Sequence, residues 1–401
     1  MKPLNLHTIE SKLVALENLL SRYTLLWQQE ILNLHLHRKI PSSWLAHEFL
    51  LTTEQLLEFA QSTILPLSHP WHQLSQDLKH QCEIPILYES NFHFFQPQNS
   101  TEIKSKKQHE INQLLHFTNV NQCLTTDAHI VDLAGGKGHF SKSLIKFYTH
   151  LNLHRSVVDY NIDFYSQNLT QFADHRNHFY CLDLLKLRSL PLENPTHLFQ
   201  LHGCGHLSDQ AITFYQQGRA KNILLIGCCY HQIRENISFI TNSNIQLTPE
   251  ALYLATRTHK TMTLSSWNKR LNQKHYRYTF EIWFQKKFQR PMSPLKSSSG
   301  SLYEGPFEQY ACEQLKRLQI PYRKSYLREL DYIYLKEENL REQLIKLGII
   351  RTLFSRPIEI YIHLRRAKKI LMVEQKRILM GEIFDKKVSP RNIILYAEKT
   401  S

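Results

Sequence analysis

The chain is poor in glycine. Its 401 residues hold 11, where average usage of ~7% would give about 28, and none precedes Gly135. Proline stands at 15. So little of either excludes a collagen-like chain and low-complexity disorder. No uninterrupted apolar run approaches the ~20 residues of a membrane span. Met1 to Glu10 is polar and charged where a secretion signal would be apolar. The seven cysteines are an odd number, which argues against a disulfide framework and for a reduced, cytoplasmic setting. Acids are outnumbered: 49 Lys and Arg face 35 Asp and Glu, a formal net charge of +14. That sign favours polyanionic partners, nucleic acid first. The remaining composition, 42% apolar and 21% charged, is that of a globular chain with core enough for two or three domains.

The first hundred residues read as helices. Leu13, Leu16, Leu20, Tyr23, Trp27 and Ile31 keep the spacing of one helical face. Thr52 to Gln55 resembles a capping box that opens a helix through Leu56, Phe59 and Ala60, closed by Pro66. From Ser105 a short helix (Ile111, Leu114, Leu115, Thr118) leads into alternation. Strands are expected over 129–133, 156–159, 179–182, 197–202 and 222–228, with helices over 141–150, 165–173 and 208–217. This predicts an α/β fold with a Rossmann-like, doubly wound sheet. Beyond His231 the expected elements are helices over 307–318, 338–347 and 358–373, after a linker at 290–306. The last two runs, 378–385 and 392–399, suit a hairpin returning to the sheet. The predicted layout is an N-terminal helical region (1–104), a core (105–232), a basic helical insertion (233–376) and a terminal β-hairpin completing the core sheet (377–401).

The glycines concentrate where chemistry is expected. Asp132-Leu-Ala-Gly-Gly-Lys-Gly-His-Phe-Ser141 follows a strand and opens a helix. Glycines let such a loop turn tightly and let a ligand touch bare backbone, and the helix start presents unpaired N–H groups. Asp159 ends the next strand, where a carboxylate accepts hydrogen bonds from ribose hydroxyls, and Asp183 ends the third. A dinucleotide loop is disfavoured, because Ser141 stands where its third small residue belongs. A P-loop is excluded, since no Lys-Ser/Thr follows the glycines. Asp132 directly before the loop suits a cationic or amino-bearing ligand better than a pyrophosphate.

Two clusters follow. Leu201-His-Gly-Cys-Gly-His-Leu-Ser-Asp209 ends the fourth strand and Gly227-Cys-Cys-Tyr-His231 the fifth. In a doubly wound sheet these ends are neighbours beside the ligand cleft. His202, Cys204, His206, Cys228, Cys229 and His231 include potential zinc ligands, but no Cys-x2-Cys pair occurs and the clusters are far apart in sequence. No metal is therefore expected. Cys228 and Cys229 read as small packing residues or substrate contacts.

On these motifs residues 129–231 resemble a class I S-adenosylmethionine-dependent methyltransferase. Its acid-x-Gly-x-Gly-x-Gly loop is matched except that Ala134 stands at the first glycine. The chain is further similar to the methyltransferase-like 25 family, which includes the relative named for a ribosomal RNA adenine dimethylase domain. Its Lys-Lys-x-His-Glu is matched by Lys106, Lys107, His109 and Glu110. Its Leu-His-x-Cys-Gly-x-Leu-Ser is matched by Leu201 to Ser208, its Cys-Cys-Tyr-His by Cys228 to His231, and its Ser-Pro-Arg-Asn by Ser389 to Asn392. The chain departs from it in having Lys104-Ser105 for Ser-Pro and His206 for Asp. A more distant resemblance is to a tRNA 2′-O-methyltransferase family.

The resemblance implies S-adenosyl-L-methionine as cofactor. Asp132, Ala134, Gly135, Gly136 and Gly138 would hold its methionine end, Asp159 its ribose, and Asp183 with Leu184 its adenine. His202, Cys204, Tyr230 and His231 would line the acceptor side. The two histidines are candidate bases for a hydroxyl acceptor, and Tyr230 could stack on a planar one. The Asn/Asp-Pro-Pro-Tyr/Phe motif that holds adenine amines is not present in the sequence.

Residues 251–290 hold nine Lys/Arg and one acid, Glu281, interleaved with Tyr253, Trp267, Tyr276, Tyr278, Phe280, Trp283, Phe284 and Phe288. Basic charge engages phosphates and aromatics stack on unpaired bases, although the same pattern suits a solvated basic helix with its aromatics in a core. Arg365, Arg366, Lys368 and Lys369 are equally ambiguous. RNA is the expected acceptor, with Lys107, Lys269, Arg270 and Lys274 as candidate contacts. A protein or small-molecule acceptor, or a non-catalytic binding module, is the alternative.

Overall fold

In a computed structural model, residues 3–46, 51–94, 103–166, 172, 175–192, 197–218, 220–233, 245–257, 263–290, 292, 299–372 and 376–399 are described. The chain divides into two compact units. Met1–Arg22, His80–Thr258 and Ser355–Ser401 form the first; Tyr23–Lys79 and His259–Phe354 form the second.

The first unit is built on a seven-stranded sheet. Its strands are β1 (His129–Leu133), β2 (His154–Asp159), β3 (Asn177–Cys181), β4 (His197–Cys204), β5 (Asn222–Cys228), β6 (Lys376–Glu382) and β7 (Ile393–Lys399), in the order β3-β2-β1-β4-β5-β7-β6. The first five are parallel, and β7 enters antiparallel between β5 and β6. Every residue of β5 is buried, as expected of a strand covered on both faces. The parallel order reverses beside β1 and β4. Their carboxyl ends therefore open on the crevice where such sheets bind ligands.

Helices Ser105–Val120, His139–Phe147, Leu207–Gln217, Pro249–Thr256 and Ser355–Leu371 belong to this unit, together with Leu6–Ser21. The Ser355–Leu371 helix, grouped by sequence with the basic insertion, packs on Leu6–Ser21: Tyr361 Oη donates to Glu17 at 2.7 Å and Lys368 pairs with Glu10 at 2.7 Å. The expected 165–173 helix is described only as Ile162–Ser166, and the rest of it, apart from residue 172, lies outside the described residues. Residues 291 and 293–298 of the expected linker lie outside them as well.

The second unit is helical. The single face expected over residues 13–31 is broken into Leu6–Ser21, Thr24–Gln28 and Ile31–Leu36. Leu13, Leu16 and Leu20 bury in the first unit, whereas Trp27 and Ile31 bury in the second. The break is stabilised by Arg351, whose guanidinium donates to the carbonyls of Leu26 (2.8 Å) and Trp27 (3.1 Å). The Thr52 capping box forms with both hydrogen bonds and opens Thr53–Ser62 on Leu56, Phe59 and Ala60. That helix ends at left-handed Thr63, ahead of Pro66. The long helix Leu264–Phe288 turns Trp267, Tyr276, Tyr278, Phe280, Trp283 and Phe284 inward. Among the described residues no helix is long and apolar enough to cross a membrane.

Candidate active site

The turn after β1 is left-handed at Ala134 (φ 53°), Gly136 (φ 57°) and Gly138 (φ 68°). A Cβ at Gly138 would lie 2.8 Å from Val157 Cγ2, and one at Gly135 would lie 2.6 Å from the Asp132 carboxyl carbon. At Gly136, which is half-buried, a Cβ would meet only the Phe164 ring, at an ordinary contact distance of 3.7 Å. Ala134 holds a conformation that costs an L-residue roughly 1–2 kcal/mol, while glycine's extra unfolded-state freedom costs about 0.5–1 kcal/mol. Ala134→Gly is therefore expected to be neutral or stabilising by up to about 1.5 kcal/mol in urea unfolding. A loss would show that the alanine methyl is packed.

Asp132 is fully buried beneath this loop and faces the Ser141 N–H at 3.4 Å. Burial raises its carboxyl pKa, with Ser141 and Lys107 opposing. It thus braces the loop, where direct contact with a cationic ligand was expected. Asp159 does lie at the end of β2 against the loop: Oδ2 accepts the Gly136 N–H at 2.9 Å and Oδ1 the Asn161 N–H at 3.0 Å. Each oxygen keeps a second acceptor site. Asp183 caps the Leu184–Lys186 turn through the Leu185 N–H at 3.1 Å and pairs with Lys186 at 3.3 Å, and Leu184 is buried.

The end of β4 is irregular. Its pairing with β5 shifts between Leu201 and Gly203, and His202 takes φ 69°. A non-glycine residue held there is strained, a condition that clusters at functional sites. His202 Nε2 lies 2.9 Å from Glu110 Oε2. Glu110 projects from the Ser105–Val120 helix, is 1% exposed, and accepts the Ser389 hydroxyl at 2.8 Å on its other oxygen. Lys106 and Lys107 stand 3.6 and 3.9 Å away. Burial alone would raise the Glu110 carboxyl. The hydrogen bond and charge of His202, with Ser389 and Lys107, outweigh it and bring it down to about 2. Three separate sequence motifs thus meet on one carboxylate. Glu110 was given no role from sequence, and only its place in the Lys-Lys-x-His-Glu stretch hinted at one.

Cys204 and Cys228 are register partners with sulfurs 3.2 Å apart. The two thiols share a hydrogen bond in which either sulfur can be the donor. Cys229 joins them, so clusters distant in sequence are contiguous in space.

Tyr230 is a correction. It is fully buried, its Oη 3.0 Å from Glu359 Oε1 and 2.9 Å from His363 Nε2, so it cannot stack on an acceptor. His231 is exposed, with Nδ1 3.4 Å from Thr256 Oγ1. Arg366 is another correction: it is 1% exposed and bound to Asp209, which removes it from any phosphate-facing patch.

Lys269, Arg270 and Lys274 lie in the second unit on Leu264–Phe288. Lys269 pairs with Glu304 at 3.0 Å, and Lys274 lies 5.3 Å over the Tyr278 ring. Lys286 and Lys287 pair with Glu337 and Glu329. With six of the interleaved aromatics buried, this helix follows the second of the two readings, a solvated basic helix with its aromatics in a core, and those six offer no base-stacking row. The lysine stems cover an apolar helix whose rings form the core.

Residues 106–236 match a family described as a methyltransferase domain. No curated protein matches the chain. The plantazolicin methyltransferase BpumL in complex with SAH is 14% identical with a TM-score of 0.25, over 72% of this chain and 95% of that one. Coclaurine N-methyltransferase bound to N-methylheliamine and SAH is 14% identical with a TM-score of 0.29, over 91% and 96%. A dimethyladenosine transferase from Plasmodium falciparum is 14% identical with a TM-score of 0.24, over 58% and 93%. The matched stretch carries the glycine loop, Glu110 and both strand-end clusters, on a Rossmann-like methyltransferase sheet.

Proposed function

We propose that the acceptor of this S-adenosylmethionine-dependent methyltransferase is a hydroxyl group of RNA, with His202 as the base that takes its proton. The Glu110–His202 contact carries the proposal. A carboxylate only accepts hydrogen bonds, so Nε2 keeps its proton on the Glu110 side and Nδ1 is left as the basic lone pair. A hydroxyl must lose a proton as it attacks, and a positioned base serves that need. S-adenosylmethionine supplies an electrophilic methyl on a sulfonium. The bare Gly136 backbone and the spare acceptor sites of Asp159 fit its amino-acid and ribose parts. RNA is supported by the net charge of +14 and by Lys106 and Lys107 beside Glu110. The narrower kinship with the methyltransferase-like 25 family belongs to the same proposal, and the meeting of its motifs at Glu110 and Cys204 supports it. A cytoplasmic setting belongs to the proposal as well, and the seven thiols support it.

Calorimetric titration with S-adenosylmethionine tests the cofactor site. The wild type should bind. Asp159→Ala should bind roughly 10- to 100-fold more weakly, the loss of one or two hydrogen bonds to a charged group. No binding by the wild type would overturn the proposal, and unchanged binding by Asp159→Ala would overturn the ribose assignment. For the acceptor, RNA affinity should fall steeply with salt. Neutralising Lys269, Arg270 and Lys274 together should reduce that slope by up to about 2–3. A flat wild-type slope removes RNA.

A further inference from the structure

We propose that Cys204, Cys228 and Cys229 form a zinc site at the paired ends of β4 and β5, with three thiolate ligands and one coordination position left for an exogenous ligand. The three sulfurs all lie within 4.8 Å of one another. Sulfurs held about 2.3 Å from a tetrahedral zinc are about 3.8 Å apart, so side-chain rotation suffices to close the set. Three thiolates select a soft or borderline d10 cation and reject magnesium and calcium.

The backbone is shaped for this convergence. Consecutive residues of a strand point to opposite faces, yet Cys228 and Cys229 both reach Cys204. They do so because Cys229 leaves β5 in a left-handed conformation, φ 49° and ψ 48°. That conformation is strained for any residue but glycine. On the facing strand, Gly205 is also left-handed, and a Cβ there would lie 2.6 Å from the Gln232 backbone. This close approach holds the end of β4 against the turn that carries Cys229. Cys228 is buried while Cys204 and Cys229 are half-buried, so an ion has both a dry wall and an entry.

Among the described residues, no histidine, aspartate or glutamate joins the three sulfurs at this spacing. Three protein ligands and an open fourth position are the pattern of zinc sites that act on a bound molecule, and four-ligand sites are structural.

The experiment uses the full chain, stripped by chelator under reductant, with cobalt(II) and zinc(II) alone as probes. One equivalent of cobalt should give an intense thiolate charge-transfer band that zinc abolishes, and zinc should protect three of the seven thiols from alkylation. Cys204→Ser and Cys229→Ser should each weaken zinc by more than the roughly 100-fold lost when supporting residues are removed. Cys181→Ser and Cys312→Ser, outside the cluster, should not. Circular dichroism establishes that each variant is folded; Cys229, half-buried on a turn, is the position least exposed to that concern. Absence of a one-equivalent charge-transfer band, full affinity in folded Cys204→Ser, uptake of copper(I) but not zinc, or a Cys204–Cys228 disulfide in the purified protein would each overturn the proposal. The readout does not involve methyl transfer, so its failure leaves the Glu110–His202 reading standing.

Discussion

Asp209→Ala is expected to cost about 3–5 kcal/mol of folding free energy, read from the urea unfolding midpoint of the first unit. Arg366 and Asp209 are 1% and 2% exposed. The guanidinium donates through Nε and Nη2 to the two carboxylate oxygens at 2.8 and 3.0 Å, and through Nη2 to the Gly205 carbonyl at 3.0 Å. Its Nη1 has no partner among the described residues. Removing the carboxylate leaves a full positive charge where solvent does not reach, and such a charge costs far more than an intact pair contributes. The damage should not stay local. The pair joins the Ser355–Leu371 helix to the start of Leu207–Gln217, and through Gly205 to the end of β4. Burial alone would raise the Asp209 carboxyl, but Arg366 outweighs it and holds it below its ordinary value. A carboxylate depressed in the folded state contributes stability above its unfolded value of ~3.9 and loses it as pH falls through the folded value. Wild-type stability should thus fall below about pH 4 with a component that Asp209→Ala lacks. Asp209→Asn separates charge from shape. It should lose most of what the alanine loses, and near-wild-type stability in the asparagine variant would show that the charge is not what holds Arg366.

Where local chemistry decides structure, the sequence was legible. β1 and β5 have the expected limits, because each is a short apolar run ended by a sharp turn, the glycine loop after β1 and left-handed Cys229 after β5. The Thr52–Gln55 box needs only its own residues. The loop after β1 was readable because glycine scarcity elsewhere made its three glycines conspicuous. Spacing failed where it reports burial without saying in which core. Leu13 through Ile31 keeps one helical period across a break, and its two ends bury in different units. Tyr230 failed likewise, and the aromatics of Leu264–Phe288 stood between two readings, since alternation with polar residues does not tell which side faces solvent. Glu110 lies 92 residues from His202. No local rule pairs them, and only the sheet brings the helix Ser105–Val120 over the end of β4.

Glu110→Gln should lower methyl transfer by roughly 10²- to 10⁴-fold, the usual worth of a positioned base, while S-adenosylmethionine binding stays near wild type. The carboxylate accepts only and is brought down to about 2. It therefore remains ionised at any working pH and keeps the His202 proton on Nε2. An amide can donate, and its NH₂ beside Nε2 favours the opposite tautomer, with the proton on Nδ1 and no lone pair for the acceptor. A wrong tautomer of this kind removes a base without displacing its ring. His202→Ala should show a similar loss, and the double variant should lose little more than either alone, because the two residues act as one unit. Ser389→Ala removes a hydrogen bond from the far oxygen of Glu110, and its main expected effect is a stability loss of about 1 kcal/mol. The two measurements divide the outcomes. Transfer lost with cofactor binding kept places the pair in proton handling. Transfer and binding lost together, with lower thermal stability, would make Glu110 a structural carboxylate, buried to hold the helix Ser105–Val120 on β4. Transfer at the wild-type rate in Glu110→Gln would remove the need for a base, and with it the case for a hydroxyl acceptor over an amine.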